Sequence, residues 1–435
     1  MFFLKTVQGI QPEGEKNIVR GMENIRRQKK KKNTMINLLK RYKQQEKEDN
    51  EDYEHNIPYI YEHILLQIFA KIPQEDLQEL RYTCKFWNKT ISNNKFMAQN
   101  FLQSKSSLLI QFRKKFAVTF KSKLLELDHE GLGFKLDHFA NMTRMGQFRS
   151  TCNGLILINS ILRINRSRAI YRFLVVNMVT KCQITIPNCP SGCRHQFCSL
   201  SLVFTPHDQK HYKVVHISSN RFGFEILTLG CAGNQWKVIP GPFQDEAYDR
   251  SWDNPVSIGQ FLHWDVESDF YILSMDVYNE TTWKTYLPHY YVSFRIDRMS
   301  LIEMGGHLCF MYSYTTTQFD VWVLKDARGQ NWQRSFSIFA ESINYLLPRG
   351  ASPIGEWENA LPDFQNLVTL CSLRNGEVIV FRNLNSRWLY LYDTKIKELR
   401  KLSELSSYKD YDVLPYKSSL IYWQNAEELL SRETI

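Results

Sequence analysis

The sequence predicts a mainly β protein with a small N-terminal α module: three short helices, then a long region of four-stranded blades closed into a β-propeller. Three observations lead there. Apolar residues recur at steps of three and four between His63 and Phe96. After residue 104 that periodicity gives way to short runs of Val, Ile, Phe, Tyr and Trp bounded by Gly, Asn, Asp and Pro. Within those runs a tryptophan returns at Trp236, Trp283 and Trp332, 47 and 49 residues apart.

Residues 1–55 form a basic arm. Residues 1–50 hold 13 Lys and Arg against 6 Asp and Glu, so the rest of the chain is nearly neutral although the whole carries +10. The excess peaks at Arg26, Arg27 and Lys29 to Lys32, the texture of a nuclear signal or of a solvated arm. No aromatic residue interleaves these lysines, so a base-stacking surface and nucleic-acid binding are not expected.

Residues 56–103 form the helical module. Ile64, Leu65, Ile68, Phe69 and Ile72 line one face of a first helix, which Pro73 ends. Asp76 is placed to cap a second helix carrying Leu77, Leu80, Cys84 and Trp87. So small a unit buries too little to stand alone, and its apolar face needs either the following domain or a partner.

Residues 104–425 supply the strands, among them 154–160, 173–178, 211–217, 259–264, 319–326 and 388–393. Five times a strand runs into a polar turn and a second strand: at 175–187, 226–240, 275–288, 323–336 and 390–402. Gly-led apolar strands at 259–264, 305–310 and 376–381 fall between them. A repeat near 50 residues is what a propeller blade shows, since each blade buries its flat faces only against its neighbours. Stacked antiparallel sheets satisfy the same alternation, but the tryptophan rhythm favours the ring. Five repeats are visible, with room for one or two more in 104–170.

With 43% hydrophobic and 14% aromatic residues there is ample material for a core. No stretch approaches the roughly 18 apolar residues of a membrane span. The opening MFFLKTVQGI lacks the charged start and cleavage site of a secretory signal. Nine cysteines without framework spacing suit a reducing compartment, so disulfides are not expected and the nucleus or cytoplasm is.

Chemistry is sparse. Cys189, Cys193, His195 and Cys198, with Cys182 upstream, lack the two tight pairs of a zinc site and read as a loop with thiols. His207 and His211 flank a turn, and Asp265, Glu267 and Asp269 mark a strand end. There is no phosphate loop, nucleophile elbow or His-Glu-x-x-His helix, so no catalytic residue, metal or cofactor is expected.

Counted from Pro73, the residues Leu77, Leu80, Arg81, Cys84, Lys85, Trp87, Ile91 and Phe96 fall at F-box spacing, and this segment resembles an F-box. It departs from that family at Tyr61 and Glu62, where Leu-Pro is usual, and at Gln67, where an acid is usual. The stretches 152–158, 201–217, 259–264 and 300–326 look like successive landmarks of the kelch-related F-box-associated domain of a large plant family. Met178 stands where that family has Pro, and Phe204-Thr205-Pro206 replaces Phe-Asp-Pro.

The resemblance implies a three-helix F-box followed by a kelch-like β-propeller. It also implies a non-enzymatic substrate receptor of a Skp-cullin-F-box ubiquitin ligase, working in protein degradation. Leu65, Ile68, Phe69, Ile72, Pro73, Leu77, Leu80 and Trp87 would then serve binding to the Skp-type adaptor. A target protein, of unknown identity, would meet the propeller, with Tyr248 and Trp252 as candidate contacts. The competing class is a propeller-based oxidoreductase or hydrolase with a structural helical module.

Overall fold

The computed structural model describes residues 61–421 apart from 113–119, 128–133, 138–145, 164–168, 193–198, 207–210, 218–222, 231–234, 242–254, 267–269, 289–298, 327, 329, 347–360, 387 and 403–410. The basic arm lies outside the described residues, as do Cys193, His195, Cys198, His207, Tyr248, Trp252, Glu267 and Asp269.

Six antiparallel sheets stand in a ring. The second to fifth each take four consecutive strands: Gln147–Cys152 to Gln183–Ile186, Ser199–Thr205 to Trp236–Pro240, Val256–Ile258 to Thr281–Tyr286, and Met299–Met304 to Asn331–Phe339. The sixth runs from Leu367–Leu373 to Glu398–Leu402, and Asn344–Leu346 adds a parallel edge strand. The first blade is a composite: Ser107–Phe112, Lys121–Leu127 and Phe134–Asp137 are completed by Tyr411–Tyr416, which pairs with Ser107–Phe112. That pairing joins the two ends of the domain and removes the open edge a ring would otherwise present.

One apolar layer fills each gap between blades. Leu109, Leu124 and Tyr416 meet Phe148, Ile156 and Ile158 between the first and second blades. Leu108, Ile110 and Phe112 meet Val380, Leu391 and Leu402 where the sixth closes on the first. The other four gaps are filled in the same way. The strands are therefore buried on both faces, which is why several read as continuous apolar runs.

The five strand-turn-strand repeats are the outer hairpins of the blades, and three of their turns, headed by Asn177, Asp276 and Asp393, share one chemistry. The Asn177 side chain accepts from the amides of Val179 and Thr180. Asp276 accepts likewise from Tyr278 and Asn279, and Asp393 from Lys395 and Ile396. Four residues after the acid or amide the chain turns left-handed, at Lys181, Glu280 and Lys397. Two of the recurrent tryptophans staple neighbouring blades. Trp236 Nε1 donates to the Pro187 carbonyl at 3.0 Å, and Trp332 Nε1 to the Tyr286 carbonyl at 2.7 Å.

His263 carries a pH-dependent part of the stability. It is 2% exposed, with Nδ1 2.8 Å from Ser274 Oγ, and burial pushes it down to about 4 from 6.5. Because the folded form resists the proton that the unfolded chain accepts, its contribution is complete above about pH 6.5 and is lost as pH falls towards 4. The expected loss is about 3 kcal/mol. Urea unfolding at stepped pH reads it, and His263→Gln removes that part of the slope.

Candidate functional site: the helical module and its clamp

Among the described residues four helices form the N-terminal module: α1 Glu62–Ala70, α2 Gln74–Leu80, α3 Lys85–Ile91 and α4 Asn94–Gln103. This corrects three expectations. The second helix starts at Gln74 behind Pro73, so Asp76 lies in its first turn and is not its cap. That helix ends at Leu80, and Cys84 and Trp87 belong to the next one, where Cys84 Sγ accepts from the Trp87 amide at 3.5 Å. The fourth helix was not expected. Asn93 caps it, accepting from Lys95 N at 2.9 Å and Phe96 N at 3.4 Å.

The eight predicted site residues divide. Leu65, Phe69, Leu77 and Trp87 are buried in the module's own core together with Ile91 and Phe96. The Phe69 ring meets Trp87 and Phe96 edge-on, with centroids 5.2 and 6.3 Å apart. Ile72 and Leu80 are half-buried against that core, while Ile68 and Pro73 are exposed. Leu65, Phe69, Leu77 and Trp87 therefore form no part of an outer surface. Ile64, which stood on the first helix without a site role, joins Ile68 there at 40% and 38% exposure. Tyr61, Tyr82 and Phe86 are exposed too.

Polar pins fix the helix arrangement. Arg81 is buried and donates from Nη2 to Ser92 Oγ at 2.7 Å and from Nη1 to Gln78 Oε1 at 2.9 Å. Gln74 Nε2 reaches Asn100 Oδ1 on the last helix at 2.9 Å.

The other side of the module is not free. After the closing strand the chain continues through 417–421 between module and propeller, and Leu420, 1% exposed, sits in the helical core beside Val179 of the second blade. Asn177 holds this tail: its Nδ2 donates to the carbonyls of Ser419 and Ile421 at 3.1 and 2.9 Å, and Thr180 Oγ1 adds a bond to Ile421 O at 3.0 Å. From the module, Ser104 Oγ donates to Ser418 O at 2.7 Å, and Ser418 Oγ to Glu75 Oε1 at 3.0 Å.

The sequence marks only a polar turn within 175–187; the task of Asn177 in holding the tail depends on residues some 240 positions later. The same holds for Gly154, at φ +82°. A Cβ there would lie 2.4 Å from Ser419 Oγ and 2.8 Å from the Lys417 carbonyl. Gly154→Ala is expected to cost about 1–3 kcal/mol from the backbone conformation alone and to loosen the tail further. Hydrogen exchange at 417–421, rising while the first blade's strands stay protected, is the readout.

Three thiols are poor nucleophiles. Burial pushes Cys152, Cys309 and Cys371 up to about 12, so none is a thiolate at neutral pH.

Comparison with known proteins places both parts. A model of the F-box domain matches residues 60–99, and one of the F-box associated beta propeller domain matches residues 107–413. Three relatives come from Arabidopsis thaliana. A putative F-box protein is 22% identical over 302 residues, covering 65% of this chain and 79% of the relative. An F-box protein is 24% identical over 354 residues, 76% and 90% of the two chains. An F-box/LRR-repeat/kelch-repeat protein is 23% identical over 289 residues, 64% and 76%.

Proposed function

Since this chain belongs to the plant F-box proteins that carry an F-box-associated β-propeller, we propose that it is the substrate receptor of a Skp-cullin-F-box ubiquitin ligase. The F-box supports binding to a Skp-type adaptor, and its pairing with a propeller supports substrate recognition in general. The finer reading is that Ile64 and Ile68, with Pro73, form the first-helix part of the adaptor contact. The propeller then presents a target protein for ubiquitination in the cytoplasm or nucleus.

One observation carries this. The first helix turns Leu65 and Phe69 inward and leaves Ile64 and Ile68 outside, on a face that the propeller does not cover. An exposed isoleucine pair on a module whose other side is already clamped fits a partner protein, not a missing piece of the same core. The clamp suits the same role. A receptor supplies no nucleophile; it raises the effective concentration of a target lysine near a charged thioester, and this requires a fixed distance between docking face and grip.

The test is pull-down of adaptor by wild type and by an Ile64→Asp/Ile68→Asp variant. Both positions are on the surface, so circular dichroism and melting temperature should not change. Adaptor recovery is expected to fall at least about tenfold, as for loss of interface anchors of about 2 kcal/mol or more. Equal recovery from a folded variant sinks the assignment. The competing enzyme reading would be favoured by a flavin copurifying with the propeller.

A further inference from the structure

We propose that Cys189, His216 and Glu225 form a buried binding site for a divalent ion of the zinc class. The three come from different elements. His216 and Glu225 are cross-strand partners on the second and third strands of the third blade, and Cys189 arrives on the connection leaving the second blade. Their donor atoms, the thiol sulfur, an imidazole nitrogen and a carboxylate oxygen, all lie within 4.8 Å of one another. All three residues are buried, at 6%, 0% and 4% exposure.

The donor set is chemically selective. A soft thiolate, an imidazole and one carboxylate suit zinc, whereas calcium and magnesium take oxygen ligands. Charge balances as well, because a thiolate and a carboxylate together cancel the charge of the ion and leave the site neutral within an apolar domain.

The fourth blade offers a contrast at a similar cross-strand pair. There, among the described residues, His263 meets a hydroxyl, Ser274, itself bonded to Thr285 at 2.7 Å, and this arrangement needs no ion. The third blade instead puts a carboxylate and a thiol around its histidine. The surroundings also hold the donors in place. The Ser191 amide donates to Glu225 Oε1 at 2.7 Å and its hydroxyl to Oε2 at 3.1 Å, the Cys189 sulfur lies 3.3 Å from the same hydroxyl, and the Trp236 ring stands edge-on to His216 at 6.4 Å. Such outer contacts orient metal ligands.

His216 Nδ1 and Glu225 Oε2 lie 2.6 Å apart. Two bonds of zinc length at a tetrahedral angle require about 3.3 Å, so binding opens this pair by under 1 Å. The thiol proton passes to solvent as the sulfur–metal bond forms, and affinity therefore rises with pH. With three protein ligands the fourth position falls to water. Bound there, the ion ties the connection from the second blade to the face of the third.

The experiment uses the full-length chain, stripped with chelator and then given zinc or cobalt alone. About one equivalent of either should bind, and cobalt should give the thiolate-to-metal charge-transfer absorption of a cysteine ligand. Zinc should protect Cys189 from alkylation, read on its own peptide by mass spectrometry. Cys189→Ser should abolish the cobalt band, and Glu225→Gln should weaken binding at least tenfold. Should Cys189→Ser fail to fold, the protection measured in wild type and the Glu225→Gln titration still decide the matter. Alkylation of Cys189 at the same rate with and without zinc overturns the proposal. So does cobalt binding without a thiolate band, or undiminished binding in both variants.

Discussion

Leu420→Asp is expected to release the helical module from the propeller while each keeps its fold. The wild-type side chain is 1% exposed, inserted beside Val179 into the core formed by Leu65, Phe69 and Trp87. An aspartate there loses the transfer free energy of the leucine and adds an unpaired buried charge. Each effect is of the order of 3 kcal/mol or more. The tail can escape this by swinging out, because it follows the closing strand Tyr411–Tyr416 and forms no rung of the ring. Hydrogen exchange at 177–181 and 417–421 should then accelerate by about a hundredfold or more, while the inner strands of the blades keep their protection. Adaptor recovery should persist, and target ubiquitination should fall because the distance between the two ends is no longer fixed. Unchanged exchange in both segments would show that the tail does not bear the coupling.

Trp87→Ala acts on the other side of the same core and should unfold the module itself. Trp87 is 3% exposed and edge-on to Phe69, and replacing so large a buried ring by a methyl group costs about 3–5 kcal/mol. A module of four helices with one small core has little more stability than that to lose. The expected result is loss of helical signal and of adaptor recovery together, with the thermal transition of the propeller retained. The contrast with Ile64→Asp/Ile68→Asp separates two causes of the same failure: there recovery falls while the helices stay folded. Full helical protection in Trp87→Ala would mean that the propeller clamp, not the aromatic cluster, holds the module together.

How far the site was legible follows from which contacts are local. Helical spacing from Ile64 to Ile72 marked an apolar face but not which of its side chains turn inward. Periodicity marks an apolar face without saying where that face ends, and Ile64 and Ile68 lie at its margin while Leu65 and Phe69 lie at its centre. The fourth helix escaped notice because its buried side chains are few, Phe96 and Asn100, and its start is declared mainly by the Asn93 cap. The zinc-like spacing around Cys189 was discounted for want of tight cysteine pairs. The two partners now assigned to Cys189, His216 and Glu225, are strand residues that only the sheet register brings near it.

By itself the sequence determined the local and repeating features: short strands, the turn with Asn or Asp at its head, the tryptophan that follows, and the F-box spacing after Pro73. These depend on neighbours within one hairpin or one helical turn, so a single repeat suffices to specify them. Only the tertiary structure decided that there are six blades. The first borrows its innermost strand from residues 411–416, a contact across some 300 residues that no local pattern records. It also decided that Asn177, Gly154 and Leu420 bind module to propeller. Ring closure fixes where the segment after the closing strand must pass, and whatever it passes against acquires a second role that its own hairpin does not require.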